Sequence, residues 1–99
     1  MHDELISMIS GMFDKILIKK YVITYKKTKV DSVYASVFYD ITKIDSGSVY
    51  TVELEFRLGN DHMVFYCDEF NLVHINYEDD SIIKKIDRAL HLILSSYGL

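Results

Sequence analysis

The chain has 99 residues, a formal net charge of −4, and 49% hydrophobic against 26% charged residues. This composition predicts one globular domain spanning residues 1–99, and it excludes a two-domain enzyme, a TIM-type barrel and a disordered chain. The acidic balance also argues against a general nucleic-acid binder, because such domains are usually strongly basic.

Cysteine usage and the apolar runs predict a cytoplasmic location. The single cysteine, Cys67, cannot form an intrachain disulfide, which is typical of a reducing compartment. No apolar run approaches the roughly 20 residues that cross a bilayer. The opening residues Met1 to Glu4 are acidic where a signal peptide would be basic. We therefore expect no membrane contact.

Helical periodicity occurs at both ends of the chain. Residues 3–19 predict an amphipathic helix, with acids at its start and lysines at its end, as the helix dipole favours. Its apolar stripe consists of Leu5, Ile9, Met12 and Ile16, widened by Ile6, Met8, Phe13 and Leu17. A second helix follows the N-cap candidates at residues 79–81, has its stripe at Ile82, Ile86, Leu90 and Ile93, and stops at Gly98.

Between the helices the apolar period becomes two, which predicts four or five strands. They are a strand from Tyr21 onward, strands over 33–42, 49–58 and 62–67, and a segment over 70–77 that is a fifth strand or the far side of a bulge. Polar turn signals at 26–32, 45–48 and 59–61 separate them. The order is α-β-β-β-β(-β)-α.

Alternation also assigns faces to the strands. In the first strand, Tyr21, Ile23 and Tyr25 are predicted to share one face. Residues 49–58 alternate most cleanly, with apolar side chains on one face and Glu53, Glu55 and other polar side chains on the opposite face. We therefore predict a two-layer α+β sandwich, in which both helices pack on one face of an antiparallel meander. The other sheet face is left to water or to a partner.

Charge is segregated along the sequence. Six lysines fall between Asp14 and Asp31 with no acid among them, whereas residues 50–80 carry eight acids against Arg57 alone. Solvated faces that keep the protein soluble are one interpretation of this pattern. A docking surface for a charged partner is the other, because segregated charge speeds association and selects the partner.

The open sheet face is the candidate partner-binding site. Carboxylates beside aromatic rings on a flat sheet favour adhesion to a protein with a basic surface. The predicted partner-binding residues are Tyr34, Phe38, Glu53, Glu55, Tyr66, Asp68 and Glu69. The alternative is a basic patch that contacts nucleic-acid phosphates without reading sequence, formed by Lys19, Lys20, Lys26, Lys27 and Lys29.

No residue pattern indicates catalysis, a metal or a cofactor. Cys67 lies near His62 and His74 in sequence, but alternation places Cys67 on the face opposite His62, and the zinc-ligand spacings are absent. Glu53 and Glu55 could act as an acid–base pair only in a cleft, which a flat sheet does not provide. We therefore predict a protein that is not an enzyme.

In size, acidity and tyrosine content the chain is similar to small phage-encoded inhibitors, anti-CRISPR proteins among them, and to bacterial immunity proteins, although no motif carries this similarity. It implies a small inhibitor or immunity-type protein from a phage or mobile element, which occupies a charged surface of its partner. Aromatic side chains on an open sheet face also predict a homodimer.

Overall fold

The computed structural model describes residues 2–67, 73–96 and 98. One five-stranded antiparallel sheet lies between an N-terminal and a C-terminal helix in sequence, which confirms the predicted α+β arrangement. The elements are α1 (His2–Leu17), β1 (Tyr21–Val30), β2 (Tyr34–Lys43), β3 (Val49–Leu58), β4 (His62–Tyr66), β5 (Val73–Asn76) and α2 (Ile82–Ser96). The strands follow one another in space as in sequence, so the sheet is a meander.

The segment over 62–77 contains two strands, which resolves the alternative left open by the sequence. β4 pairs with β5 in antiparallel register, from His62 opposite Asn76 to Phe65 opposite Val73. The tight turn predicted at residues 59–61 is also present, closed by the Gly59 amide donating to the carbonyl of His62 at 2.9 Å.

The turn predicted at 26–32 is wrong in extent. β1 continues to Val30 and pairs with β2 along its whole length, and the turn is closed by the Asp31 amide donating to the Tyr34 carbonyl at 2.7 Å. The sequence of this stretch is polar on both faces because β1 is an edge strand whose distal half is exposed. Lysines on an edge strand also oppose pairing with other chains.

A register shift in β1 decides which way its side chains point. Ile23 lies opposite Ile41 but Tyr25 lies opposite Asp40, so Thr24 is an extra residue, as in a β-bulge. The prediction that Tyr25 shares a face with Tyr21 and Ile23 is therefore wrong. Beyond the bulge every side chain of β1 lies on the face opposite to the one that simple alternation assigns.

The core lies between the helices and one face of the sheet, which we call the inner face. Alternate residues of β2 and β3 on this face are buried, among them Tyr39, Leu54 and Phe56. From the helices, the buried side chains are Ile6, Ile9, Ser10, Phe13 and Leu17 of α1 and Ile86, Ala89, Leu90, Ile93 and Leu94 of α2. The buried apolar side chains form one cluster, so both helices cover the same face.

The helix faces differ in detail from the predicted stripes. The centre of the buried face of α1 runs through Ile6, Ile9 and Phe13, whereas Leu5 and Met12 are only partly buried. The difference is a small rotation of the helix about its axis, which the broad apolar stripe permits. In α2, Ile82 is partly buried against the core.

Local polar groups define the ends of two elements. The turn between β2 and β3 needs a left-handed backbone at Gly47, whose φ of 70° favours glycine. At the start of α2 the Ser81 carbonyl accepts the first helical hydrogen bond from Lys85. Asp79 pairs with Lys85 and accepts from the Ser81 amide at 2.9 Å, and these contacts lower its pKa to about 2.

Candidate functional site on the outer sheet face

The outer face of the sheet, opposite the helices, is the candidate site. Strand register arranges its side chains in rows that cross the strands. One row contains Lys29, Ser36, Glu55 and Tyr66, and the next contains Lys27, Phe38 and Glu53. No described helix lies over these rows, so the face is open to a partner.

The predicted site residues of the described chain lie together on this face. Tyr34 and Phe38 on β2, Glu53 and Glu55 on β3, and Tyr66 on β4 have side chains that alternate with buried residues of the same strands. Their predicted placement is therefore confirmed, while their role in binding stays a prediction. Asp68 and Glu69 lie outside the described residues.

Tyr34 and Glu55 form the polar centre of the outer face. The Tyr34 hydroxyl donates to Oε1 of Glu55 at 2.7 Å, diagonally across the β2–β3 ladder. This hydrogen bond, partial burial and the charges of Glu55 and Glu53 raise the pKa of Tyr34 to about 12. The tyrosine is thus a fixed hydrogen-bond donor, and Glu55 keeps further acceptor capacity on an open surface.

Two aromatic contacts lie on either side of the Tyr34–Glu55 pair. The Arg57 guanidinium lies over the Tyr66 ring, 5.5 Å from its centroid, as in a cation–π pair. On the other side the Tyr25 and Phe38 rings meet edge to face at 6.1 Å. Tyr25 remains 49% exposed, so this pair presents apolar area to solvent.

The bulge brings two lysines onto the outer face, which alternation from the start of β1 does not reveal. Lys27 lies beside Phe38 and Lys29 beside Ser36, so β2 separates the two lysines from Glu53 and Glu55 in the same rows. The small side chain of Ser36 leaves a recess of about 180 Å³, lined by Lys27, Lys29, Ser36, Phe38 and Glu53. No pattern in the sequence of β1 signals this arrangement, because the register shift depends on how β1 pairs with β2.

The predicted basic patch is divided between different surfaces. Lys26 lies on the inner face, where its Nζ contacts Oδ2 of Asp14 at 2.6 Å and lies 5.5 Å from the centroid of the Tyr39 ring. Lys19 and Lys20 are exposed in the connection between α1 and β1, at the opposite end of the strand from Lys29. Of the five lysines of the predicted basic patch, Lys27 and Lys29 are the two that share the outer face.

Sequence reasoning missed a polar cluster under α1. The buried Tyr39 hydroxyl donates to Oδ1 of Asp14 at 2.6 Å and lies 3.2 Å from the Ser10 hydroxyl. Burial and the bond to Asp14 raise the pKa of Tyr39 well above its usual range. Because Tyr39 has no exposed surface, the cluster holds α1 on β1 and β2 rather than meeting a substrate.

The other chemical candidates do not converge. Cys67 is partly buried against the core, His62 contacts the neighbouring Asp61 at 2.8 Å, and His74 lies on the edge strand β5 opposite Val64. Within residues 2–67 and 73–96, no three His, Cys, Asp or Glu side chains are placed to hold a metal ion. None of the described helices is long and apolar enough to span a membrane.

An apolar groove of about 240 Å³ lies between the N-terminal parts of the helices, lined by Glu4, Leu5, Met8, Tyr77 and Ile82. Among the described residues of its lining, no set of polar groups converges. Comparisons with protein-family models, with curated proteins and with solved structures found no match.

Proposed function

We propose that this protein is a non-enzymatic binding module whose outer sheet face docks onto a basic surface of a partner protein. The observation that carries the proposal is the open face itself, on which Glu53 and Glu55 stand between half-buried aromatic side chains. Apolar area with a few oriented polar groups is typical of protein interfaces. The Tyr34–Glu55 hydrogen bond fixes one such group before a partner arrives.

The glutamates supply selectivity and the rings supply contact area. Exposed carboxylates contribute little to folding, so their placement on adjacent rows costs little and can steer a basic partner. Tyrosine rings combine a large apolar surface with few rotatable bonds, so they lose little entropy on binding. For the biological setting we propose an inhibitor or immunity-type role, as in phage-encoded or mobile-element proteins of similar size and acidity.

A second candidate function is nucleic-acid binding. It is favoured by Lys27 and Lys29, which lie on the same face as the exposed Tyr25–Phe38 ring pair. Lysines beside aromatic rings can hold a single strand through phosphate contacts and base stacking. The glutamates two strands away oppose this candidate, because they repel phosphate, and Lys26 is engaged by Asp14.

Charge reversal separates the two candidates. We expect Glu53→Lys with Glu55→Lys to abolish capture of a basic protein partner from host lysate while the circular dichroism spectrum stays unchanged. Lys27→Glu with Lys29→Glu is the matched variant on the same face, and it should retain that capture. Binding of wild-type protein to a fluorescent oligodeoxynucleotide, measured by anisotropy, is expected to be absent.

The opposite pattern contradicts the proposal. If the glutamate reversal leaves capture intact, and the lysine reversal removes an oligonucleotide affinity that weakens with added salt, the nucleic-acid function replaces it. Capture should itself weaken as salt is raised, because exposed charges are screened over about 8 Å at physiological ionic strength.

A further inference from the structure

The outer face carries two charged stripes at equal distances from β2. Lys27 and Lys29 on β1 form the basic stripe, and Glu53 and Glu55 on β3 form the acidic stripe. Each stripe is one strand spacing from β2, about 4.8 Å. Within the described chain no ion pair engages either lysine or Glu53. The stripes are therefore available to another molecule.

The two stripes also match in height along the strands. Register places Lys29 and Glu55 on either side of Ser36, and Lys27 and Glu53 on either side of Phe38. Each lysine thus has a glutamate at the mirror position across β2. A surface with this pattern is complementary to itself under one particular rotation.

That rotation is a two-fold axis parallel to the strands and above β2. It exchanges left and right of the face and preserves position along the strands, so β1 of one copy faces β3 of the other. From this geometry we propose that the outer face binds a second copy of this chain, with Lys27 against Glu53 and Lys29 against Glu55 of the other copy. The proposal goes beyond the binding of a foreign partner.

Packing at the axis is compatible with this dimer. Face-to-face sheets lie about 10 Å apart with their strands within about 30° of each other. Long lysine and glutamate side chains can meet across that gap on either side of the axis. Phe38 then meets Phe38 of the second copy, while the recess over Ser36 leaves room for the lysine stems beside it.

The small area of the contact favours a weak association. Three overlapping strands of about 30 Å, spaced by about 4.8 Å, cover roughly 430 Å² of projected area on each copy. Stable dimers bury about 800 Å² of accessible surface on each partner. We therefore expect a weak dimer that depends on concentration and that a better-fitting foreign partner displaces.

Edge-to-edge pairing is the competing way for copies to associate. Pairing β1 with β1 of another copy would place the lysines of both copies on neighbouring strands, where like charges repel. The face-to-face arrangement instead opposes unlike charges in each lysine–glutamate pair, and Asp40 of β2 is the outer-face charge that comes opposite its own copy at the axis. Charge complementarity thus selects the face rather than the edge.

Sedimentation velocity on charge-exchanged variants tests the proposal. We expect the wild-type protein to show a monomer–dimer equilibrium at low salt. Lys27→Glu with Lys29→Glu should raise the dimer dissociation constant at least tenfold, as should Glu53→Lys with Glu55→Lys, because each variant opposes like charges. Lys15→Glu with Lys19→Glu is the charge-matched control away from the face, and it should stay within about threefold of wild type.

Mixing the two double variants is the decisive arm. One variant has an all-acidic pair of stripes and the other an all-basic pair, so an equimolar mixture should form a heterodimer although each alone is monomeric. The variant that exchanges all four charges should also dimerise, since its pattern is again self-complementary. Circular dichroism on each variant verifies that the fold is retained.

Several results would overturn the proposal: a strict monomer at millimolar wild-type concentration, a mixture that stays monomeric, or a dimer that survives both reversals. A dimer lost only with the lysine reversal would overturn it as well. Failure here is separable from failure of the foreign-partner function, because the latter depends on the glutamates and tolerates the lysine reversal.

Discussion

The two faces of the sheet are built from the same strands but follow different rules. On the inner face, Tyr39, Leu54 and Phe56 have no exposed surface, and their neighbours are apolar side chains from both helices. On the outer face, the residues that alternate with them are mostly polar and, apart from the buried Ser36, half-buried or exposed. The comparison teaches that the packing of helices over one face, rather than strand propensity, decides how much each position contributes to stability.

Polar groups also behave differently on the two faces. Under α1, the buried Tyr39 hydroxyl is held by Asp14 and Ser10, and Asp14 in turn is held by Lys26. On the open side, Tyr34 makes one bond to Glu55 at the edge of solvent. When a buried hydrogen-bond network loses a member, a polar group is left without a partner. When an exposed hydrogen bond is lost, water replaces the missing partner. The following variants test that contrast.

The largest expected effect compares two phenylalanines on opposite faces. Phe56→Ala should lower the free energy of unfolding by about 3–5 kcal/mol, because it opens a cavity in a core where Phe56 packs against Phe65. Since a small domain has only about 5–15 kcal/mol in total, this variant should be marginally folded. Urea denaturation followed by circular dichroism measures the change.

Phe38→Ala is the matched control on the outer face, where the ring is half-buried and contacts Tyr25. Its expected cost is about 1 kcal/mol. If both variants denature at the same urea concentration, burial under the helices does not decide how much a phenylalanine contributes to stability.

The next effect compares two tyrosines that each donate to a carboxylate. Tyr39→Phe should cost about 1–3 kcal/mol, because Asp14 and Ser10 lose their buried partner. Tyr34→Phe should cost at most about 1 kcal/mol, because water can replace its hydroxyl at Glu55. Urea denaturation of the pair measures the contrast, and an equal loss would mean that the cluster under α1 is effectively solvated.

The smallest effect is a titration confined to the outer face. Because the Glu55 hydrogen bond is the main cause of the raised pKa of Tyr34, Glu55→Gln should bring that pKa from about 12 back towards its ordinary 10.0. Phenolate absorbance in a rapid pH jump, before any alkaline unfolding, follows the change. Glu53→Gln should shift the same pKa less, since Glu53 acts only through its charge.

The same shift predicts the direction of alkaline stability. Above pH 10 the unfolded chain ionises Tyr34 while the folded protein keeps it protonated up to about 12, so the unfolded state binds fewer protons. The free energy of unfolding should therefore fall as pH rises through this window. In Glu55→Gln that part of the fall should be reduced, and an unchanged slope would contradict the assignment.

Much of this protein was determined by its sequence. The helical period at both ends and the strict alternation of residues 49–58 predicted the element order, the single-sided core and the outward placement of Glu53 and Glu55. These features follow from local periodicity, because a residue two positions along a strand, or a turn along a helix, returns to the same face.

Tertiary structure alone decided the rest. The register shift at Thr24 depends on how β1 pairs with β2, and it moves Lys27 and Lys29 onto the face that carries the glutamates while sending Lys26 to Asp14. One inserted residue inverts the face of every side chain that follows it in the strand, and no pattern within a polar edge strand announces it. Strand pairing thus set the charge pattern of the outer face, whereas the alternation of β2 and β3 alone predicted its aromatic and acidic centre.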